Sequence, residues 1–296
     1  GDADSPRMLG AFNERTPDWL SFFMFTFFTD RDGKMQLESL AQSGFDPLSR
    51  TCRFMLMEEA HHMHVGERGI GRIIQRTAEA MNEAGIADPY DAERIRALGV
   101  IDLPTIQRKA NLHYALTLDL FGNELSTNAA NAFNAGIKGR FRETHIQDDH
   151  RLLNDTYPVL RHVDGAFREV QEPALQALNM RLRDDYVQDA AQGVARWNKI
   201  LADRGIDFQI TLPHQAFYRQ IGGFAGLRVS PEGAFLGEAE WQSRKGDFLP
   251  TADDAAFIQS LMQPVTEPGQ YAGWIAPPRV GIDNKGGDFE YVRIAA

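Results

Sequence analysis

The pattern of apolar and polar positions predicts long helices over the first two-thirds of the chain. Residues 19–28 are apolar on nearly every side, which is typical of a buried helix. From Pro47 to about Ala84 the apolar positions recur with helical spacing, and Gly85 provides a stop signal. The same criteria predict further helices over residues 91–98, 104–133 and 173–203.

The pattern changes after Gly205, where short runs alternate in polarity or carry β-branched and aromatic residues between turn signals. Ser230 to Gly233 predicts a hairpin turn, and residues 250–262 predict one more short helix. We therefore predict a mainly α fold in which residues 1–205 form a helical domain and residues 206–296 a mixed α/β lobe with short β-strands. The lobe is either a separate domain or packed on the helices.

Composition narrows the class of protein. The 296 residues are 43% hydrophobic, so the chain can bury a large core. It carries 31 Lys and Arg against 41 Asp and Glu, and this net charge of -10 argues against a nucleic-acid or membrane partner. Because Cys52 is the sole cysteine, any metal must be held by oxygen and nitrogen. No signal pattern is present and the run at 19–28 is too short to span a bilayer, so we expect a cytoplasmic protein.

The stretch EEAHHMHVGE, residues 58–67, is the first candidate for chemistry. Glu-x-x-His places a carboxylate and an imidazole one turn apart on one helix face, close enough to bind one metal ion together. Two frames compete, Glu58 with His61 and Glu59 with His62. The spacing alone is weakly specific, and a solvated helix face is the alternative interpretation.

A second carboxylate strengthens the metal hypothesis. Asp30 follows Phe23 and Phe27 by seven and three positions, so it shares a helix face with aromatic side chains, where an unpaired carboxylate is costly. If the first long helix continues past Gly33, Asp30 lies sixteen residues before Asp46 and His62 lies sixteen after it.

Equal distances from a turn at residues 44–46 would bring Asp30 to the height of Glu59 and His62 on facing helices. Such a set is half of a carboxylate-bridged dinuclear site in a helical bundle, and its hard ligands suit iron or manganese. In the alternative, Asp30 pairs locally with Arg31 or Lys34 and the histidines lie on the surface.

Other candidates are less specific. Asp119 is a candidate metal ligand or base, or more simply a buried carboxylate with hydrogen-bond partners. His113 is expected in the core or at its boundary. His64 and Glu67 are expected beside the metal ligands or in solvent rather than among them. A basic cluster of Lys138, Arg140 and Arg142 could hold phosphates or form an ordinary solvated face. It is followed by Gln147 and His150, which have the Glu-x-x-His spacing with an amide in place of the carboxylate and are therefore a weak metal motif.

Several long strings resemble the oxygenase components of the benzoyl-CoA 2,3-epoxidase family, which are diiron enzymes. The likeness is carried by TPDWLSFFMFTFFTDRDGK, FMLMEEAHHMHVGE, GRIIQRT, LNMRLRDDYVQD, FQITLPH, GLRVSP and FEYVR. The resemblance implies a ferritin-like helical bundle with two iron ions, a separate NADPH-dependent reductase that supplies electrons, and insertion of one oxygen atom from dioxygen into the ring of benzoyl-CoA. It places metal ligands at Asp30, Glu59 and His62 and suggests the cluster at 138–142 for the phosphates of coenzyme A.

The chain departs from that family in one respect, because it resembles only the C-terminal part. The family's remaining metal ligands, a Glu and a first Glu-x-x-His, have no counterpart here, so we expect an N-terminal part of the natural protein to supply them. Two other hypotheses remain open. The chain could be a metal-free helical scaffold or interaction fragment, or it could belong to a diiron oxygenase for another acyl-CoA.

Overall fold

The computed structural model describes residues 9–138, 155–266 and 272–278, and it confirms a mainly α fold with a small antiparallel sheet. Within these ranges no helix is both long enough and apolar enough to cross a membrane. The helices are α1 (Gly10–Asn13), α2 (Trp19–Leu40), α3 (Asp46–Ala84), α4 (Ala92–Ala97), α5 (Leu103–Leu118), α6 (Thr127–Asn134), α7 (Leu178–Ala202), α8 (Glu238–Phe248) and α9 (Ala252–Leu261), and the strands are β1 (Thr156–Val163) and β2 (Ala166–Pro173).

Helices α2 and α3 form the long antiparallel hairpin that the sequence predicts. Helix α2 begins at the Asp18 cap, whose Oδ1 accepts a hydrogen bond from the Ser21 backbone N–H at 2.7 Å. It continues past Gly33 to Leu40, and a short connection then leads into α3. Helix α3 ends where Gly85 adopts a left-handed conformation with φ of 66°.

Glycines on α3 let the two backbones approach each other closely. A Cβ atom at Gly66 would lie 2.5 Å from the backbone nitrogen of Phe27 and 2.9 Å from the carbonyl oxygen of Phe23. One at Gly69 would lie 2.4 Å from the Phe23 ring. Helix α3 is continuous through both glycines. Their missing side chains make room for α2.

Two further helices cover this hairpin with aromatic side chains. The Phe27 ring lies 4.4 Å from that of Trp197 on α7, and the Phe28 ring lies 6.0 Å from that of Tyr114 on α5. All four side chains are almost fully buried. Burial of aromatic side chains of this size contributes strongly to stability, so α2 is held at the centre of the core.

The strands lie earlier in the chain than predicted. Strands β1 and β2 pair around the two-residue turn Asp164-Gly165, where both residues have positive φ. This places the sheet before Gly205. After Gly205, the only β-type pairing among the described residues is the isolated bridge between Val229 and Phe235. This bridge closes the predicted turn at 230–233. The stretch FEYVRI lies outside the described residues.

The alternating segment FQITL, residues 208–212, illustrates why the described residues after Gly205 form no strand longer than a single bridge. Its backbone is satisfied by helix side chains instead of by a neighbouring strand. The Asn198 amide both accepts from the Ile210 N–H at 2.8 Å and donates to the Ile210 carbonyl at 2.9 Å. The Gln107 side chain accepts from the Thr211 N–H at 2.9 Å. The predicted division near residue 205 stays a prediction.

The C-terminal residues that the structure describes pack on the helices through ion pairs and backbone contacts. Buried Asp254 on α9 accepts hydrogen bonds from Arg96 at 2.5 Å and from Arg108 at 2.7 Å. Further on, the Ala276 carbonyl accepts from the Arg72 Nε at 2.6 Å. Residues 272–278 are thereby attached to the side of α3.

Replacing Gly66 by alanine should weaken the contact between α2 and α3. A methyl group at this position meets backbone atoms that cannot rotate away, so one of the helices has to shift. We expect Gly66→Ala to lower the free energy of unfolding by about 2 kcal/mol in urea titrations, despite the better helix propensity of alanine.

Gly246→Ala on α8 is the matched control. The nearest atom to a Cβ at this position is the Thr251 Cγ2, 3.5 Å away, which is an ordinary contact. This variant should be neutral or gain up to about 1 kcal/mol. Equal free energies of unfolding for the two variants would contradict the close approach at Gly66.

Candidate metal centre

The hairpin brings together the three side chains that the sequence predicts as metal ligands. Asp30 lies in the middle of α2, and Glu59 and His62 lie one turn apart on α3. One candidate ligand atom from each side chain lies within 4.8 Å of the others. The His62 Nδ1 is 3.7 Å from the Asp30 Oδ2 and 3.7 Å from the Glu59 Oε2. The predicted equal height of these residues on the two helices is therefore confirmed.

The rotation of α3 about its axis selects one of the two Glu-x-x-His frames. Glu58 and His61 are exposed to solvent, whereas the Glu59 carboxylate is directed at α2. This carboxylate lies against Gly33, where a Cβ atom would be 3.4 Å from the Glu59 Oε1. A glycine inside a helix costs about 1 kcal/mol. At this position it leaves space for the carboxylate.

The alternative interpretation proposed that Asp30 pairs with Arg31 or Lys34, but the structure shows neither pair. Arg31 and Lys34 instead make ion pairs with Asp189 on α7, at 3.0 Å and 3.4 Å. The Arg31 guanidinium also lies over the Phe27 ring, 4.0 Å from its centroid. With both cations engaged elsewhere, the Asp30 carboxylate faces Glu59 and His62.

Burial makes this cluster electrostatically unfavourable without a cation. The side chains of Asp30 and Glu59 are 16% and 17% exposed, and that of His62 is 50% exposed. Burial raises the pKa of Asp30 to about 6; the Glu59 carboxylate adds to this rise and His62 opposes it. Burial also raises the pKa of Glu59, again against the influence of His62.

One oxygen of the cluster is left without a hydrogen bond. The Glu59 Oε2 is buried and has no hydrogen-bond partner among the described residues, since 3.7 Å to His62 is too long. A buried carboxylate oxygen in this state is costly unless it is paired or coordinates a metal ion. Two carboxylates and one imidazole form a hard donor set that suits iron or manganese, and the exposed side of His62 leaves room for further ligands.

Glu67 and His64 lie outside this cluster, in agreement with the sequence analysis. The Glu67 carboxylate pairs with the Arg196 guanidinium through contacts of 2.5 Å and 2.7 Å. It also lies 3.6 Å from Arg31. Glu67 thus links α2, α3 and α7 one turn or more away from the ligands, while His64 is exposed.

Asp119 and His113 are structural, as the simpler interpretation held. The Asp119 carboxylate accepts hydrogen bonds from the Arg219 Nε at 2.6 Å and from the backbone N–H of Gln220 at 3.0 Å. His113 is buried on α5, and burial, with nearby Lys109, lowers its pKa to about 3. It is therefore a neutral core residue.

The predicted phosphate-binding cluster is only partly described. The Lys138 amine donates hydrogen bonds to the Gln36 Oε1 at 3.0 Å and to the Asn179 Oδ1 at 3.1 Å. It is thus held between α2 and α7. Its partners in the predicted cluster and the weak Gln-x-x-His motif lie outside the described residues; these are Arg140, Arg142, Gln147 and His150.

Sequence reasoning missed two residues that shape the centre. Asp189 takes the cations next to Asp30, but it lies 158 residues from Arg31 and no local pattern connects them. Gly33 appeared only as a weak point in a helix. Its position three residues after Asp30 could have indicated that it lies beside the centre, because residues i and i+3 share a helix face.

Asp30→Asn should stabilise the metal-free protein at neutral and alkaline pH. The folded-state pKa of about 6 is higher than the unfolded value near 3.9, so stability falls as pH rises from about 4 to about 6 and the carboxylate ionises. Removing the charge should add about 3 kcal/mol to the free energy of unfolding at pH 8 and little at pH 4.

Urea unfolding after chelation of metals measures this difference. Glu58→Gln is the control, since it removes a charge from the exposed frame of the same helix. We expect it to change stability by less than about 0.5 kcal/mol at either pH. A loss of stability in Asp30→Asn at pH 8 would show that the carboxylate is well compensated in the metal-free protein.

Similarity to known proteins agrees with the motifs. The chain matches no protein-family model. It is 56% identical, over 293 residues that make up 99% of its length, to a protein named Benzoyl-CoA oxygenase component B from Aromatoleum evansii. The chain spans 61% of the length of that protein. The resemblance predicted from the sequence motifs is confirmed as a match to part of such a protein.

Proposed function

We propose that this chain carries half of a carboxylate-bridged diiron centre and belongs to an oxygenase component that acts on benzoyl-CoA. The observation that carries the proposal is the convergence of Asp30, Glu59 and His62 around a buried carboxylate oxygen that lacks a partner. The name of the similar protein supports both the oxygenase activity and the substrate.

The three side chains fit iron in number, chemistry and position. Carboxylate oxygens and an imidazole are suitable ligands for it, and the atoms need only small movements to bind one ion together. Bound iron would supply the redox chemistry with dioxygen that oxygenation requires. A cation at this place would also offset the burial and the repulsion from Glu59 that together raise the pKa of Asp30.

The surrounding residues hold the candidate ligands in place. Phe27 and Phe28 lie three and two residues before Asp30 on α2; both are fully buried and pack against Trp197 and Tyr114, which fixes this part of α2 in the core. The ion pairs of Arg31 with Asp189 and Glu67 connect α2, α7 and α3 next to the ligands. Together these contacts restrict how far Asp30 moves relative to α3.

The remaining ligands are proposed to come from further helices of the natural protein. The half of α3 that carries the candidate ligands, together with the residue just before the helix, exposes large apolar side chains. Phe45 before the helix is 62% exposed, and Phe54 and Met57 on the helix are 68% and 65% exposed. Apolar patches of this kind favour cover by another structural element. The similar protein is longer than this chain, and its designation as component B suggests a partner component. We propose that this partner is an NADPH-dependent reductase.

Metal titration tests the proposal on the chain itself. Metal-free protein is titrated anaerobically with Fe(II) by calorimetry, and with Co(II) as a spectroscopic probe. Asp30→Asn, Glu59→Gln and His62→Ala should each lower the affinity at least tenfold, because each removes one of three donors. Glu58→Gln and His61→Ala, which alter the exposed frame, should bind as tightly as the wild type.

Equal losses in both frames, or no binding at all, would contradict the metal centre and favour a metal-free scaffold. The substrate is examined with the natural protein and its reductase by measuring oxygen consumption that depends on the acyl-CoA supplied. Faster consumption with benzoyl-CoA than with other aromatic acyl-CoA thioesters is expected. A preference for a different thioester would contradict the proposed substrate but not the proposed metal centre.

A further inference from the structure

Two cations on α2 lie close to Asp30 in sequence, and a single carboxylate on α7 binds both of them. The Asp189 Oδ2 accepts a hydrogen bond from the Arg31 Nε at 3.0 Å and another from the Lys34 Nζ at 3.4 Å. The Arg31 side chain is 4% exposed, and those of Lys34 and Asp189 are each 22% exposed. Salt therefore screens these ion pairs less than it screens pairs at the surface.

Lys34 has a second carboxylate within reach on its own helix. It lies four residues after Asp30, and an acidic residue followed by a lysine at this spacing favours an ion pair. The structure shows no such pair, because the Lys34 amine is turned to Asp189 on α7, whereas Asp30 faces Glu59 and His62 on α3. Asp189 and Asp30 therefore compete for the same ammonium group.

The two cations differ in what would hold them if Asp189 lost its charge. The Arg31 guanidinium also donates to the Phe27 carbonyl at 2.8 Å, lies over the Phe27 ring, and is 3.6 Å from the Glu67 carboxylate. Lys34 makes no other hydrogen bond or ion pair with a residue that the structure describes. Loss of the charge would thus release Lys34 and leave Arg31 in place.

Asp189 is well suited to hold a lysine at neutral pH. Burial raises the pKa of this carboxyl, but Arg31 and Lys34 outweigh burial and hold the pKa below its ordinary value. The carboxylate is therefore ionised at neutral pH, where its attraction for Lys34 is fully present.

We propose that Asp189 is a positioning residue for the candidate metal centre, because it keeps Lys34 away from Asp30 and so leaves that carboxylate free for a cation. A metal ion has to displace any ammonium group that pairs with Asp30, and a displaced ammonium that stays nearby repels the ion. Asp189 thus controls metal affinity from outside the set of ligands. The inference rests on the proposed function, since it concerns the affinity of the same centre.

Metal titration of Asp189 variants tests the inference. Asp189→Asn should weaken the binding of Fe(II) and of Co(II) about tenfold, which is typical of residues that act through a ligand. Adding Lys34→Gln to this variant should restore most of the affinity, because the competing ammonium is then absent. A purely structural role predicts no such rescue, since the double variant still lacks the Asp189 carboxylate.

Asp203→Asn is the matched control on the same helix. Asp203 pairs with Lys199, and both of these side chains are largely exposed and belong to the far end of α7. This variant removes one carboxylate from an ion pair with a lysine, as Asp189→Asn does, but it releases no cation beside Asp30. Its affinity for both metals should equal that of the wild type.

A second measurement requires no metal. Asp30→Asn is expected to raise the free energy of unfolding of the metal-free wild type at pH 8. In the Asp189→Asn background this gain should be clearly smaller, because Lys34 then pairs with the Asp30 carboxylate. The gain should return when Lys34→Gln is added. Asp189→Ser provides the same comparison with a smaller neutral side chain if Asp189→Asn does not fold.

Three results would overturn the inference. These are an unchanged metal affinity in Asp189→Asn, a loss of affinity that Lys34→Gln does not restore, and an undiminished gain from Asp30→Asn in the Asp189→Asn background. A wild-type chain that binds no metal contradicts the proposed function instead. The unfolding measurements then still decide whether Asp189 keeps Lys34 away from Asp30, so the two failures are distinguishable.

Discussion

The close contact between α2 and α3 is the constraint on which the candidate centre depends. Gly66 lies one turn beyond His62, at the place where α3 meets the backbone of α2. Any side chain there would push the helices apart and separate Asp30 from the two ligands on α3. Functional sites require positions accurate to about 0.5 Å, so the glycine sets the ligand geometry although it carries no chemistry.

The same close contact explains the electrostatic state of the centre. It buries two carboxylates side by side, and burial is the main reason that the pKa of Asp30 rises to about 6. Stability is reduced at neutral pH as a consequence. A protein that needed only a stable helical hairpin would gain from an apolar residue in place of either carboxylate. Such local conflicts with stability are expected where a site serves function, and a bound cation would resolve this one.

The parts of this arrangement that local rules control could be predicted from the sequence. Apolar spacing and the stop at Gly85 predict α3, whereas the continuation of α2 past Gly33 was a condition of the argument. Given that continuation, equal spacing from the turn predicts the level at which Asp30 meets α3. The choice between the frames of Glu58 and Glu59 could not be made, because it depends on how α3 is rotated against α2. The hairpin around Asp164-Gly165 had a local signal, a two-residue turn between alternating runs, which the sequence analysis did not use.

The remaining features depend on partners that are distant in sequence. Residues 208–212 have a strand-like pattern, but side chains from α5 and α7 already satisfy their backbone. The centre likewise depends on a distant residue, Asp189. By binding Arg31 and Lys34, it engages the two cations that would otherwise be available to neutralise Asp30. With these two cations paired to an acidic side chain on α7, Asp30 faces Glu59 and His62 without a cation from its own helix. The electrostatics of the candidate centre thus depend on the helix packed behind the hairpin as much as on Asp30, Glu59 and His62 themselves.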